Sequence, residues 1–398
     1  MRLPHRPPPN KLAAMAYSLS RDAFRQTLNG QPTDLYTLRG AGGLQVAVSN
    51  YGARLVQVAV PDGQGGLVDV ALGYDSLQGY LDGQLSMGAL IGRWAGRLRH
   101  GQLALPDGAV LQLPTNSGPH HHHGGPLGSR FQVFTVTEVR PDALRLQHIF
   151  RTQDDSVPGT VRLTLDLAVA PDNALHMAWT AEVADAPTVV NITGHAFFNL
   201  AGAGSTHGHV LQVPASRYVP LAADVCPTGV LESVQGTPFD FQQPRRVGDA
   251  VAQRSEQLER AGGLDHYLVL GDVGGDVHLG AQPAGSLQPL AQALPTTPAG
   301  LRPVALLSDP ASGRALQVWA TAPGVQVYAG HGLKADPLRD SGRSAIGTPG
   351  APWLWQPGDG LCLEPMEYPD APNHPGFKAR WWQPGEVVRG AIVYRFTG

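Results

Sequence analysis

Val161-Arg162-Leu163-Thr164-Leu165-Asp166-Leu167-Ala168-Val169 puts an aliphatic side chain at every odd position and mostly polar ones between them. Side chains in an extended chain point alternately to opposite faces, so this period of two describes a strand with one face in a core and the other in water. Shorter runs of the same kind occur at Leu44 to Val48, Leu55 to Val60, Ala143 to Phe150, Leu175 to Val183, Leu316 to Thr321, Val325 to Tyr328 and Ala391 to Phe396. Each is bounded by Gly, Pro, Asp or Asn, residues that turn the chain. Strand follows strand without intervening helices, which predicts an all-β protein, a large antiparallel β-sandwich with few short helices. The clearest helical piece is Ser255 to Ala261.

Composition agrees with this reading. The 398 residues include 49 Gly and 35 Pro, which favours many turns. Residues 1–30 lack periodicity and read as a poorly ordered leader, or an over-extended start before Met15. Residues 31–398 read as one domain, with 271–300, rich in Gly, Ala, Gln and Pro, as an embedded hairpin or a mobile excursion. The formal net charge is −3, too small to attract nucleic acid or an anionic membrane, so a small neutral molecule is the expected partner. No run reaches the roughly 20 apolar residues that cross a bilayer. The two cysteines, Cys226 and Cys362, form no spaced motif, which suits a reducing, cytoplasmic setting and a monomer or homodimer without disulfides.

Chemistry concentrates in a few segments. In Val190-Asn-Ile-Thr-Gly-His-Ala-Phe-Phe-Asn-Leu200, alternation would set His195, Phe197 and Asn199 on one face and Ala196, Phe198 and Leu200 on the other. Imidazole is the side chain that titrates nearest neutral pH, so His195 is either a general acid or a buried structural histidine. In Leu361-Cys-Leu-Glu-Pro-Met366, Glu364 is a carboxylate in an apolar strand, suited to a general base or to a structural ion pair. His120-His-His-His-Gly-Gly125 suggests a metal at first sight, but neighbours in an extended chain diverge and no acidic or cysteine cluster accompanies them. No metal or other cofactor is expected; His123, followed by two glycines, reads as a ligand-facing residue in a loop. Arg97, Asp265 and Gln326, each flanked by glycine or aromatics, supply the polar forks that sugar hydroxyls require.

Taken in order over about residues 31–398, these segments resemble the aldose 1-epimerase family, the galactose mutarotases. The resemblance is carried by Asn50-Tyr-Gly-Ala53, Asp69 to Asp75, Gly92 to Arg97, His123-Gly-Gly125, Asn191 to Leu200, Pro227-Thr-Gly229, Gly236 to Asp240, Gly263 to His266, Pro323 to Tyr328, and Leu363-Glu364 through Asn373. It implies a mutarotase-like supersandwich that interconverts the anomers of a free hexose such as galactose or glucose. By motif, the base falls on Glu364 and the acid on His195 assisted by His123. The sugar contacts fall on Arg97, Asp265 and Gln326. Four positions depart from the family's usual residues. Gly96 and Gly194 stand where Asn is common, Phe197 where Tyr is frequent, and Met366 where Gln is frequent. Two amide hydrogen bonds are thereby missing, which bears on sugar preference. Alternatives are a glycoside hydrolase using Asp265 and Glu364, and a noncatalytic sugar-binding protein on the same fold. A phosphorylated hexose would demand a basic cluster at the pocket rim, and no such cluster is evident along the chain.

Overall fold

The computed structural model describes residues 18–83, 85–270, 300–336, 341–342, 353–377 and 379–398. Antiparallel sheets dominate it. The largest has nine strands, in the order Thr135–Val139, Ala143–Phe150, Val161–Val169, Ala174–Val183, Val387–Thr397, Ala315–Ala320, Arg302–Ser308, Val210–Gln212 and Arg245–Arg246. Within Val161–Val169, Leu163, Leu165 and Leu167 are buried, while Asp166 meets the Arg145 guanidinium directly across the ladder at 2.7 Å. Alternation thus produces both the core face and the cross-strand ion pair.

A six-stranded sheet runs Phe197–Phe198, Leu361–Met366, Gly324–Tyr328, Asp265–Leu270, Ala215–Val219 and Glu232–Ser233. A four-stranded sheet is built from Leu35–Arg39, Gln45–Ser49, Arg54–Pro61 and Leu67–Asp69. One hydrophobic cluster joins all three: Leu165 and Ile392 from the nine-stranded sheet, Val325, Val327, Leu361 and Leu363 from the six-stranded sheet, and Val46 and Val58 from the four-stranded sheet. Burial of these strand faces against one another is the main stabilising term of a sandwich. Helices are short, such as Leu77–Gly83, Val247–Val251 and Glu256–Ala261.

Two expectations need correction. Residues 18–30, grouped with the leader, are seated in the fold: Phe24 is fully buried beside Tyr80, and Arg21 forks onto Asp34 at 2.6 and 2.7 Å. The leader's remaining residues, 1–17, lie outside the described residues, as do 271–299 of the Gly-rich stretch. The run from Val190 to Leu200 is also not one strand. Thr193–Gly194 pairs with Leu90–Ile91, whereas Phe197–Phe198 pairs with Leu361–Met366. Between these ladders His195 exchanges backbone hydrogen bonds with the 88–89 turn, donating its N–H to Ala89 and accepting from Gly88. The two-faced pattern survives the break: Ala196, Phe198 and Leu200 enter the shared core, and Phe197 turns the other way.

Candidate active site

Alternation along three neighbouring strands builds one wall of a cavity. Gln326 is paired with Glu364 on one side and Tyr267 on the other, and Tyr328 lies between Cys362 and Asp265. With Val325, Val327, Leu361 and Leu363 committed to the core, these polar residues all project from the opposite face. The cavity, about 310 Å³, is lined by Arg97, His123, His195, Asp265, Gln326 and Glu364, so all six residues picked from the sequence face one space. That volume lies at the lower end of the range for small-molecule sites.

His195 and Glu364 are neighbours, with Nε2 and Oε1 3.7 Å apart and both side chains nearly sealed from solvent. Burial, reinforced by Asp265, pushes the Glu364 carboxyl well above the ordinary range, and Arg97 pulls it back. Burial pushes His195 down to about 4. Both shifts disfavour charge, so the pair tends to keep a single proton between carboxyl and imidazole. Glu364 Oε2 is buried without a hydrogen-bond partner, an acceptor available to a ligand hydroxyl. Behind His195, the Cys362 Sγ stands 3.7 Å from Nδ1, leaving Nε2 toward the cavity.

His123 is positioned by its backbone. It lies in the left-handed region with φ 53°, followed by Gly124 at 79° and Gly125 at 75°. A Cβ on Gly124 would come within 2.2 Å of the Gly92 carbonyl, so glycine is required there. The Gly96 N–H donates to His123 Nδ1 at 3.2 Å, which puts the proton of the neutral ring on Nε2. Its ring stands edge-on to His195 with centroids 5.3 Å apart. Asp265 accepts from Gln326 Nε2 at 2.6 Å, a pair that presents both an acceptor and an amide to the cavity.

His120 and His121 bond different backbone carbonyls, but His122 and His123 do not diverge as an extended chain would dictate, because His123 is left-handed. His120 bonds the Asp224 carbonyl and His121 the Pro114 carbonyl, while His122 stacks on His123 at 3.7 Å and reaches the cavity. Two donor sets among the described residues are compact enough to hold a cation: His123, His195 and Glu364, and His100, His120 and Asp224, with ligand atoms in each within 4.8 Å of one another. In the second, both His120 nitrogens already engage backbone and Arg99 occupies the Asp224 carboxylate. The first lies at the centre of the cavity.

The glycine departures have local causes. Gly96 has φ +80°, and a Cβ there would lie 3.3 Å from Pro369. At Gly194 a Cβ would stand 3.2 Å from the Tyr394 hydroxyl and 3.4 Å from Met177 Sδ, side chains that occupy the space. Met366 and Phe197 both line the cavity, making part of its wall apolar. The sequence reading missed Ser86, Arg130, His331, Tyr267 and His122 among the lining residues. His122 lies in the histidine run and Tyr267 directly follows the Gly263 to His266 motif; Ser86 and Arg130 carry no local signal and enter through tertiary packing.

The family model described as Aldose 1-epimerase matches residues 34–395. A galactose mutarotase of Bos taurus is 31% identical over 356 residues, covering 89% of this chain and 91% of that protein. An aldose 1-epimerase of Escherichia coli (strain K12) is 29% identical over 371 residues, 92% of this chain and 96% of that one. Among solved structures, an aldose epimerase homologue from C. elegans aligns with a TM-score of 0.76 at 25% identity, covering 92% of this chain and 99% of that chain. A galactose 1-epimerase from Lactobacillus acidophilus NCFM aligns with a TM-score of 0.74 at 26% identity, covering 94% and 96%.

Proposed function

Because the chain belongs to the aldose 1-epimerase family of isomerases, we propose that it interconverts the α and β anomers of a free hexose of the galactose or glucose series, with Glu364 as base and His195 as acid. The observation that carries this reading is the 3.7 Å approach of His195 Nε2 to Glu364 Oε1 inside a cavity of monosaccharide size. The hydroxyl and ring oxygens of an anomeric centre share one carbon, so two neighbouring protein groups can reach both. Acting in the form of the pair whose single proton sits on the His195 imidazole, Glu364 removes the C1 hydroxyl proton while His195 protonates the ring oxygen, and the hemiacetal opens to the aldehyde. Rotation about C1–C2 and the reverse transfers close the other anomer. The pair thus begins and ends with the same single proton, and proton transfers alone complete the cycle.

His123 Nε2–H supports the developing charge beside His195, and Arg97 holds Glu364 toward its basic form. Asp265 and Gln326 read ring hydroxyls as a fixed acceptor and donor. Optical rotation of freshly dissolved α-galactose and α-glucose tests the reading: the protein is expected to speed the drift to equilibrium. An unchanged drift with every aldose offered would overturn it. Release of reducing sugar from a disaccharide would favour the two-carboxylate hydrolase instead. The two unpaired, buried cysteines support a reducing, cytoplasmic setting, and the site is complete within one chain, which suits a monomer or homodimer.

A further inference from the structure

Ser86 and Arg130 form a second polar corner of the same cavity, one the acid–base chemistry does not use. Arg130 donates from Nη1 to Ser86 Oγ at 2.6 Å and lies over the Phe131 ring, and its Nε is buried without a hydrogen-bond partner. Having accepted that bond, Ser86 still has its hydroxyl proton to give, and no described residue takes it. Directly behind stands Arg54, a fully buried guanidinium that, among the described residues, donates to carbonyls, those of Leu85, Met87 and Arg130 itself. Among the described residues neither arginine meets a carboxylate. The proximity of Arg54, added to burial, lowers Arg130 to about 10. Two like charges held together away from water are costly unless an anion completes the set. Arg97, which also meets no carboxylate among the described residues and has a buried, unpartnered Nε, faces the same cavity. Two guanidiniums, Arg97 and Arg130, therefore line a space whose described wall holds the carboxyl groups of only Asp265 and Glu364, and Asp265 is already bonded to Gln326.

We propose that Arg130 and Ser86, backed by Arg54, form an anion subsite, and that the preferred substrate is an aldose bearing an anionic group away from its anomeric carbon, a hexuronate above all. This rests on the mutarotase reading. A planar guanidinium fork with an adjacent hydroxyl donor matches a carboxylate at C6, and the same donors match a phosphate on O6. The compact cavity favours the smaller group. The basic cluster absent from the linear sequence is assembled here from positions scattered along it.

The test compares galacturonate, galactose 6-phosphate and galactose in one assay, anomer exchange followed by NMR magnetisation transfer, with wild-type protein and with Arg130→Gln and Arg130→Lys. Wild type is expected to show a kcat/KM for galacturonate at least about tenfold above that for galactose, the scale of a charge-assisted hydrogen bond. Arg130→Gln is expected to lower that ratio by about the same factor, with Arg130→Lys between, because it keeps charge but loses the fork. A preference for galactose 6-phosphate over galacturonate would identify the anion as phosphate and keep the subsite. Galactose equal to or better than both anions in the wild type overturns the subsite while leaving the mutarotase reading intact, and requires no variant to fold. A ratio unmoved by Arg130→Gln overturns the role of Arg130. Failure of all three sugars to exchange faster than without protein overturns the mutarotase reading itself.

Discussion

Asn191 Oδ1 accepts the backbone N–H of Glu367 at 2.9 Å, while Asn191 Nδ2 donates to the Ala95 carbonyl at 3.1 Å. One buried amide thereby ties the end of the strand bearing Glu364 to the loop that carries Arg97. Asn191→Ala leaves these partners unsatisfied, at a cost of about 1–3 kcal/mol for each buried group. The expected outcome is a lower Tm by calorimetry and a reduced kcat/KM, since Glu364 and Arg97, the proposed base and sugar contact, lose their common anchor. Wild-type values for both would show that the amide positions neither.

For the proposed acid–base pair, Glu364→Gln and His195→Asn should each lower turnover by about 10²–10⁴-fold, the usual contribution of one positioned proton donor or acceptor. Polarimetry on fresh α-anomer measures this, with circular dichroism to show that both variants keep the sheet signature. A rate within twofold of wild type in either variant would remove that residue from the mechanism.

Stability should move in the opposite direction at Glu364. Its carboxyl is held above the ordinary range by burial. Such a group contributes its full stability below the unfolded value and loses it as pH rises through the folded one. Glu364→Gln cannot ionise, so it should melt above the wild type at pH 8, with the difference shrinking toward pH 4. Melting curves of both proteins across that range decide it, and a Gln variant less stable at pH 8 would contradict the argument.

Acid sensitivity has a separate source in buried neutral rings. His148, His195, His209 and His266 are each held down to about 4 by burial. Their unfolded value is near 6.5. Because the folded value is depressed, the contribution is complete above the unfolded value and is lost as pH falls toward 4. The urea midpoint should therefore drop between pH 6.5 and 4. His148, packed between Phe134 and Phe150, is the ring to replace: His148→Phe should flatten part of that drop.

Arg93 and Asp155 form a buried bidentate pair at 2.7 and 2.8 Å, with further Arg93 bonds to Pro158, Gly159 and Thr188. Asp155→Ala leaves the guanidinium uncompensated, and about 3–5 kcal/mol of folding stability should be lost. Chemical denaturation measures it; a loss below 1 kcal/mol would mean that the carbonyl bonds suffice.

Much of this protein was legible before folding because strand formation is local. The period of two in Val161–Val169 is enough to assign its faces, and the observed boundaries of Val161–Val169 and Ala143–Phe150 coincide with the apolar runs. The same rule places Glu364 opposite the core, since Leu361 and Leu363 point inward. Local rules failed where a segment changes partners: the run around His195 reads as one strand, yet it leaves the Leu90–Ile91 ladder for Leu361–Met366 within a few residues. What only the tertiary structure decided is proximity. The meeting of His195 with Glu364, and of Arg54 with Arg130, depends on how sheets pack and where loops close over them, and those contacts join residues too far apart in the chain for any periodicity to register.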